Sequence, residues 1–303
     1  MVSTDAICSL AAADSSSSPG VGIEIRHVRT HAEFVQCVKL QAITWGSDFR
    51  ESVPATLLKI TQRLGGVTAG AFAPDGALLG FIFGITGIEG GSIVHWSDML
   101  AVEAQAQNRG IGRRLKEFQR DAVRAVGATR MYWTYDPLVA RNAHFNLNRL
   151  GARVTEYVPD MYGTDTGSLL HSGLGTDRFI VVWPIASVAR HDAADGHRHV
   201  PPTLAAGSAA PILNAGLFDG STTDHDSFGD DPPTVARVEI PEDIFRIQRE
   251  RIDHAVRWRQ STRRAFQWAL ANDYRIERFE RDRAAERGYY VLTRATVVTS
   301  MSR

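Results

Sequence analysis

Two periodicities divide residues 22–185 into alternating strand and helix segments. Ile23-Glu24-Ile25-Arg26-His27-Val28 alternates apolar and polar positions and predicts a strand. Thr30 caps a helix that runs to about Trp45. A second helix follows Pro54, with Leu57, Leu58 and Leu64 on its buried side. Residues 67–73 and 78–85 form a hairpin around Pro74-Asp75-Gly76. Glycines 87, 90 and 91 mark a second turn, and a longer strand covers 93–102. Next comes Gln107-Asn108-Arg109-Gly110-Ile111-Gly112, and then a helix whose apolar stripe is Ile111, Leu115, Phe118, Ala122 and Val126. Gly127 ends that helix. Residues 131–135 are a strand, and Asp136-Pro137 starts a helix with Ala143, Leu147 and Leu150 that stops at Gly151. Strands at 154–158 and 178–183 complete a mixed α/β sheet.

The pattern fades on either side of this segment. Residues 1–21 read as a disordered tail: Asp5 and Asp14 are present and no basic residue precedes an apolar run, so a secretory signal is not expected. Residues 186–233 have only Phe218 and Phe228 as aromatics and end in Asp230-Asp231-Pro232-Pro233. Such a stretch buries too little apolar surface to offset its ordering entropy, and it reads as a flexible linker. Residues 234–295 regain periodicity. A strand at 236–240 precedes a long helix to about 271, with Phe245, Ile252, Val256, Phe266 and Leu270 apolar and a break near Gln260-Ser261. Strands at 275–279 and 289–293 follow, giving a small α+β extension, and 296–303 is a tail.

Charge narrows the function classes. Lys plus Arg equals Asp plus Glu at 34 each, so a dedicated nucleic-acid binder is not expected. No apolar run is long enough to span a membrane. The two cysteines, Cys8 and Cys37, form neither a disulfide framework nor a metal motif, which fits a reducing, cytoplasmic setting. Only Lys39, Lys59 and Lys116 are lysines, an arginine bias typical of a GC-rich bacterial genome. Four histidines (His191, His197, His199, His225) fall in the linker without metal-ligand spacing, so no metal is expected.

The glycine turn at 107–112 offers chemistry. Unpaired N–H groups at a helix start, the helix dipole and close backbone approach at glycine make an anion site suited to a pyrophosphate. Arg109, Arg113 and Arg114 add charge. The dinucleotide fingerprint does not fit, because its third glycine position is Leu115, and the phosphate-loop Gly-Lys-Ser/Thr is absent. A helix start that uses glycine only for packing is the plain alternative.

Strand, Gln-x-x-Gly-x-Gly, helix, strand and Asn-bearing helix in this order resemble the GNAT superfamily of acyl-CoA N-acyltransferases over about residues 22–185. Trp133-Thr134-Tyr135-Asp136-Pro137-Leu138, Ala140-Arg141-Asn142-Ala143, Asn148-Arg149-Leu150-Gly151, Tyr162-Gly163 and Thr176-Asp177-Arg178 are similar to a bacterial subfamily described as predicted GNAT acetyltransferases. Val238-Glu239-Ile240-Pro241, Trp258-Arg259 and Arg263-Arg264 continue that similarity into the extension. The resemblance implies a splayed, mostly antiparallel sheet flanked by helices, and acyl transfer, with acetyl-CoA the expected donor, to a small amine. It implies coenzyme A contacts at Gln107, Asn108, Arg109, Gly110, Ile111, Gly112 and Arg113, with Asn142 a further contact. Strand 93–102 would supply one edge of the cofactor gap through Leu100 and Val102, with the Leu100 N–H as oxyanion donor.

Asp98 is the candidate base or amine-orienting group, because a desolvated carboxylate on that strand would have a raised pKa. A structural role with a backbone or arginine partner is the alternative. Period two places Trp96, Asp98 and Leu100 on one face and His95 on the other. Trp45, Trp96 and Trp133 are candidates for a substrate pocket or for core packing. The position of the usual family tyrosine acid is Leu147, which leaves Tyr157 and Tyr162 as substitutes. That departure keeps open a coenzyme A-binding protein without chemistry, or a related acyl-CoA reaction such as O-acyl transfer or decarboxylation. Arg257, Arg259, Arg263 and Arg264 either bind an acidic group or form a salt-bridged face. The extension is too small to hold a large core, so docking on the first domain, as a lid or a degenerate half-fold, or on a second copy in a homodimer is expected.

Overall fold

The computed structural model describes residues 22–168, 170–185, 210–215 and 232–294. The expected tails at 1–21 and 296–303, and most of the expected linker, lie outside them. Among the described residues ten strands form two sheets. The larger has the order β1-β2-β3-β4-β5-β7-β6 and the smaller β8-β10-β9. The larger sheet is mostly antiparallel and flanked by helices, as the GNAT-like class requires.

Contacts divide the chain into two compact units. The first holds Met1–Trp133, Asp165–Ser172 and Trp183–Ala186. It contains β1 (Glu24–His27), α1 (His31–Trp45), α2 (Ala55–Arg63), β2 (Val67–Phe72), β3 (Leu78–Glu89), β4 (Ser92–Val102), α3 (Ile111–Ala125) and most of β5 (Arg130–Tyr135). Thr30 caps α1 as expected: its hydroxyl accepts from the Glu33 N–H at 3.2 Å, and Glu33 accepts in return from the Thr30 N–H at 3.3 Å. Phe34, Cys37 and Leu40 of α1 and Leu58 of α2 pack on Phe72, Phe81, Phe83, Met99 and Ala101. Burial pushes the Cys37 thiol up to about 12, so it is a packing group. The expected buried face of α2 is corrected. Leu58 is fully buried, whereas Leu57 and Leu64 are exposed.

The second unit holds Thr134–Thr164, Gly173–Val182 and Ser187–Arg303. Its elements are α4 (Ala140–Ala143) running into one π turn (His144–Arg149), β6 (Arg153–Val158), β7 (Arg178–Pro184), β8 (Val235–Pro241), α5 (Ile244–Glu250), α6 (Ile252–Ala271), β9 (Tyr274–Asp282) and β10 (Arg287–Arg294). The division falls inside β5. Phe179, Phe266, Phe279, Tyr157 and Tyr290 form one aromatic cluster with ring centroids 4.7–5.6 Å apart. Asn148 holds β9 like a strand partner: it donates to Phe279 O at 2.7 Å and accepts from Phe279 N at 3.1 Å. The expected linker is ordered at 210–215, where Ile212 bridges Arg237 and Leu213 is fully buried. The expected helix break near Gln260-Ser261 lies instead at Arg251, whose φ of −147° and ψ of 76° are not helical.

Candidate functional site

β4 carries the decisive irregularity. In the β3–β4 ladder Phe83 pairs with Met99 and Gly84 with Ser97, so Asp98 is an extra residue without a partner. This is a β-bulge, and it resets which way side chains point. Before it, Ser97 faces α3, where the Lys116 Nζ donates to its Oγ at 2.9 Å. After it, Met99 and Ala101 face the α1–α2 core. The expectation that Trp96, Asp98 and Leu100 share one face is therefore corrected. Trp96 lies opposite His95 and stacks on Tyr132 at 6.5 Å. Leu100 lies on the α3 side, where its Cδ2 is 3.8 Å from the place a Gly112 Cβ would take. Val102 ends the strand, and its carbonyl accepts from the Gln107 amide at 3.1 Å.

The parallel ladder between β4 and β5 covers Val94↔Arg130, His95↔Met131 and Trp96↔Tyr132. It stops one residue before the bulge begins. From Ser97 and Trp133 onward no further β4–β5 pair is formed among the described residues.

Asp98 is exposed, yet recessed among its neighbours. Burial, and then repulsion from Glu51, push its carboxyl above the ordinary range, while a hydrogen bond from the Trp96 side chain pulls it partly back. Glu51 lies on the α1–α2 loop. Gln41, fully buried on α1, pins that loop: its Nε2 donates to Val53 O at 3.0 Å, and its Oε1 accepts from Val53 N at 2.7 Å and Ser52 Oγ at 3.1 Å. Thr166 and Gly167 close on the same loop. Arg50 N donates to Thr166 O at 2.9 Å, and a Cβ on Gly167 would sit 1.9 Å from Asp48 O. Only glycine permits that approach. Sequence reading missed both Gln41 and Gly167, since neither lies in a chemical motif.

The glycine turn is exposed at Gln107–Gly110. Asn108 and Gly110 have φ of 60° and 74°, and Gly110 is the N-cap of α3 with no side chain capping the first N–H groups. Those amides are available to an anion. Arg113 pairs with Glu117 at 2.8 Å and Arg114 donates to Ile23 O at 2.8 Å, so their charges are partly engaged. The geometry of the turn fits a pyrophosphate.

Trp45 stacks on Phe49 at 5.6 Å and packs against the α1–α2 core. Trp133 is buried under Lys116, whose Nζ is 3.9 Å from the ring centroid, and meets Trp183 edge-on at 6.2 Å. Trp133 thus packs in the interior of the unit. Beside it His95 is fully buried. Its Nδ1 is 3.0 Å from the Thr86 hydroxyl, which itself donates to Gly65 O at 2.7 Å. Nδ1 is therefore the donor and the ring is neutral. Burial pushes its pKa down to about 3.

In the second unit the Tyr157 hydroxyl donates to buried Asp177, and burial raises its pKa strongly. Tyr162 is half-buried, with its hydroxyl 3.0 Å from Thr134 Oγ1. Asn142 is half-buried in α4, and Leu147 is buried in the π turn. Arg259 binds Asp136 at 2.6 Å and Leu174 O at 3.0 Å, and Arg263 binds Asp160 at 2.9 Å and also Asp177. Of the two readings of this arginine set, the salt-bridged one holds for Arg259 and Arg263.

No family model matches the chain, and no curated protein matches its sequence. Solved acetyltransferase structures resemble it in shape. An acetyltransferase of the GNAT family from Streptococcus pneumoniae is 16% identical, with a TM-score of 0.43, covering 54% of this chain and 99% of that one. An aminoglycoside 6'-N-acetyltransferase complexed with coenzyme A is 17% identical, with a TM-score of 0.41 and coverage of 54% and 97%. The ribosomal-protein-S18-alanine N-acetyltransferase from Escherichia coli is 16% identical, with a TM-score of 0.41 and coverage of 56% and 97%. Among the described residues no helix is long and apolar enough to cross a membrane.

Proposed function

We propose that the chain is a cytoplasmic acyl-CoA-dependent N-acyltransferase, with acetyl-CoA as donor, acting by direct transfer on a small amine. The observation that carries this reading is the coincidence of three features in one unit. The β4–β5 ladder ends at Trp96, a bulge follows at Asp98, and an uncapped helix start lies after the same strand. Acyl-CoA supplies the activated acyl group. The amides after Gly110 bind its pyrophosphate, and the edge of β4 at Leu100 and Val102 lines its arm. Asp98 orients the amine and takes its proton as the nitrogen–carbon bond forms and the carbon–sulfur bond breaks. A raised pKa suits a base that must release that proton again near neutral pH. Tyr162 is the hydroxyl left as candidate acid for the departing thiolate, since the Tyr157 proton is held by Asp177.

Two substitutions test it. Gly112 has ordinary helical backbone and its nearest neighbour to an added Cβ is at 3.8 Å, so a side chain there leaves the fold intact. Gly112→Asp should lower coenzyme A affinity at least tenfold by calorimetric titration. Unchanged affinity would remove the cofactor assignment. Asp98→Asn should lower kcat by roughly 10²–10⁴ with coenzyme A affinity unchanged. The buried Leu147 in the π turn favours a second reading, a coenzyme A-binding protein without chemistry. Coenzyme A binding with no turnover of any amine by the wild type would select it.

A further inference from the structure

Lys116 reaches both strands where they part. The last β4–β5 pair is Trp96↔Tyr132, so Ser97 and Trp133 are the first residue of each strand beyond the ladder. Lys116 donates to the Ser97 Oγ at 2.9 Å and its Nζ sits 3.9 Å over the Trp133 ring. It comes from the second turn of α3, the helix that opens with the glycine turn. It is buried, with 3% of its area exposed, and no carboxylate lies within ion-pair distance among the described residues. A core position of this kind would pack better with leucine or methionine, so its polar end calls for an explanation.

We infer that Lys116 is a positioning residue that props β4 and β5 apart and so sets the gap for the acyl-CoA arm. This rests on the acyl-transfer reading. The amine is tethered to α3 by a four-carbon stem and meets a hydroxyl on one strand and an aromatic face on the other. Both contacts are directional, and both fail if the strands close or drift. Neighbouring groups support a fixed contact. Burial drives the Lys116 pKa well below its ordinary value. His95, the nearby titratable ring, is neutral and tied through Thr86. Gln119, one turn on in α3, is fully buried and has no hydrogen-bond partner for either side-chain polar atom.

Lys116→Met keeps most of the stem and removes the amine; Ser97→Ala removes the acceptor and leaves the lysine. For both full-length variants we expect amide hydrogen exchange at 97–102 and 133–135 to accelerate at least tenfold, with β1–β3 unchanged. We expect the acyl-CoA KM to rise about tenfold, with the amine KM within twofold and, for Lys116→Met, unfolding stability undiminished. A plain core residue would move stability and both KM values together. Exchange at the two segments within twofold of wild type in both variants would overturn the proposal, as would acceleration spread over the whole first unit. If the wild type turns over no acyl-CoA, the acyl-transfer reading falls, and the exchange pattern still decides whether Lys116 holds the strands.

Discussion

Lys116 in the first unit and Arg259 in the second are almost equally buried, at 3% and 4% of their area, yet their surroundings are opposite in kind. Arg259 has the Asp136 carboxylate at 2.6 Å, and Arg178 approaches the same carboxylate at 3.7 Å. Burial would raise the Asp136 carboxyl, but the two guanidiniums more than offset it and hold it below the ordinary range. Lys116 has a hydroxyl and an aromatic ring. Arginine cannot shed its proton, so a buried arginine must bring an anion with it. Lysine can, and a buried lysine without an anion settles the charge by losing it. The second unit is thus held by fixed charge pairs, and the first keeps an amine–hydroxyl contact, with the amine's pKa pushed down by burial, under its candidate site.

The largest effect should come from breaking a pair in the second unit. Arg259→Met leaves Asp136 with the Leu138 N–H at 2.8 Å and the longer contact to Arg178, and leaves Leu174 O unpaired. Removing one partner of a buried ion pair costs about 3–5 kcal/mol, and the remaining Arg178 places this case near about 3 kcal/mol. Urea denaturation followed by tryptophan fluorescence measures it. A loss under about 1 kcal/mol, the worth of a surface pair, would mean the pair is far better hydrated than its burial indicates.

The units also differ in how much the sequence revealed. Elements with a clean local period were legible: α1 with its Thr30 cap, α3 from Ile111, and strands β4, β5 and β7 nearly to the residue. What period cannot carry was lost. The extra residue at Asp98 changes no alternation of residue types, because polar Ser97 and Asp98 stand side by side either way. The apolar stripe of α3 predicted Phe118, Ala122 and Val126 inside. The helix instead buries Lys116, Gln119 and Val123 and leaves Val126 exposed. A polar residue chosen for one contact reads in sequence as a surface residue. In the second unit Arg259 and Arg263 had two readings, and their partners Asp136, Asp160 and Asp177 lie 86–123 residues away. Such pairing is invisible to any local pattern.

The smaller prediction sharpens the comparison from the Lys116 side, through pH. The Lys116 pKa is lowered in the folded protein, well below the ordinary 10.5. Between the folded value and the unfolded one, the unfolded chain holds a proton on this amine that the folded chain lacks. Stability therefore rises as pH rises through that window, by up to about 1.4 kcal/mol per pH unit. His95 acts in the same sense at lower pH, with stability falling as pH drops from 6.5 toward about 3. The two windows separate the groups. Lys116→Met should flatten the slope of unfolding free energy between pH 7 and 9.5 relative to wild type, at constant ionic strength, and leave the acid arm in place. Its stability at pH 7 should equal or exceed that of wild type, because the desolvation that lowers the Lys116 pKa is removed with the amine. Arg259 offers no such slope, since it stays charged in both states. Parallel pH curves for wild type and Lys116→Met would mean that the amine keeps its proton when buried, and the contrast between the two cations would then collapse into a shared need for an anion.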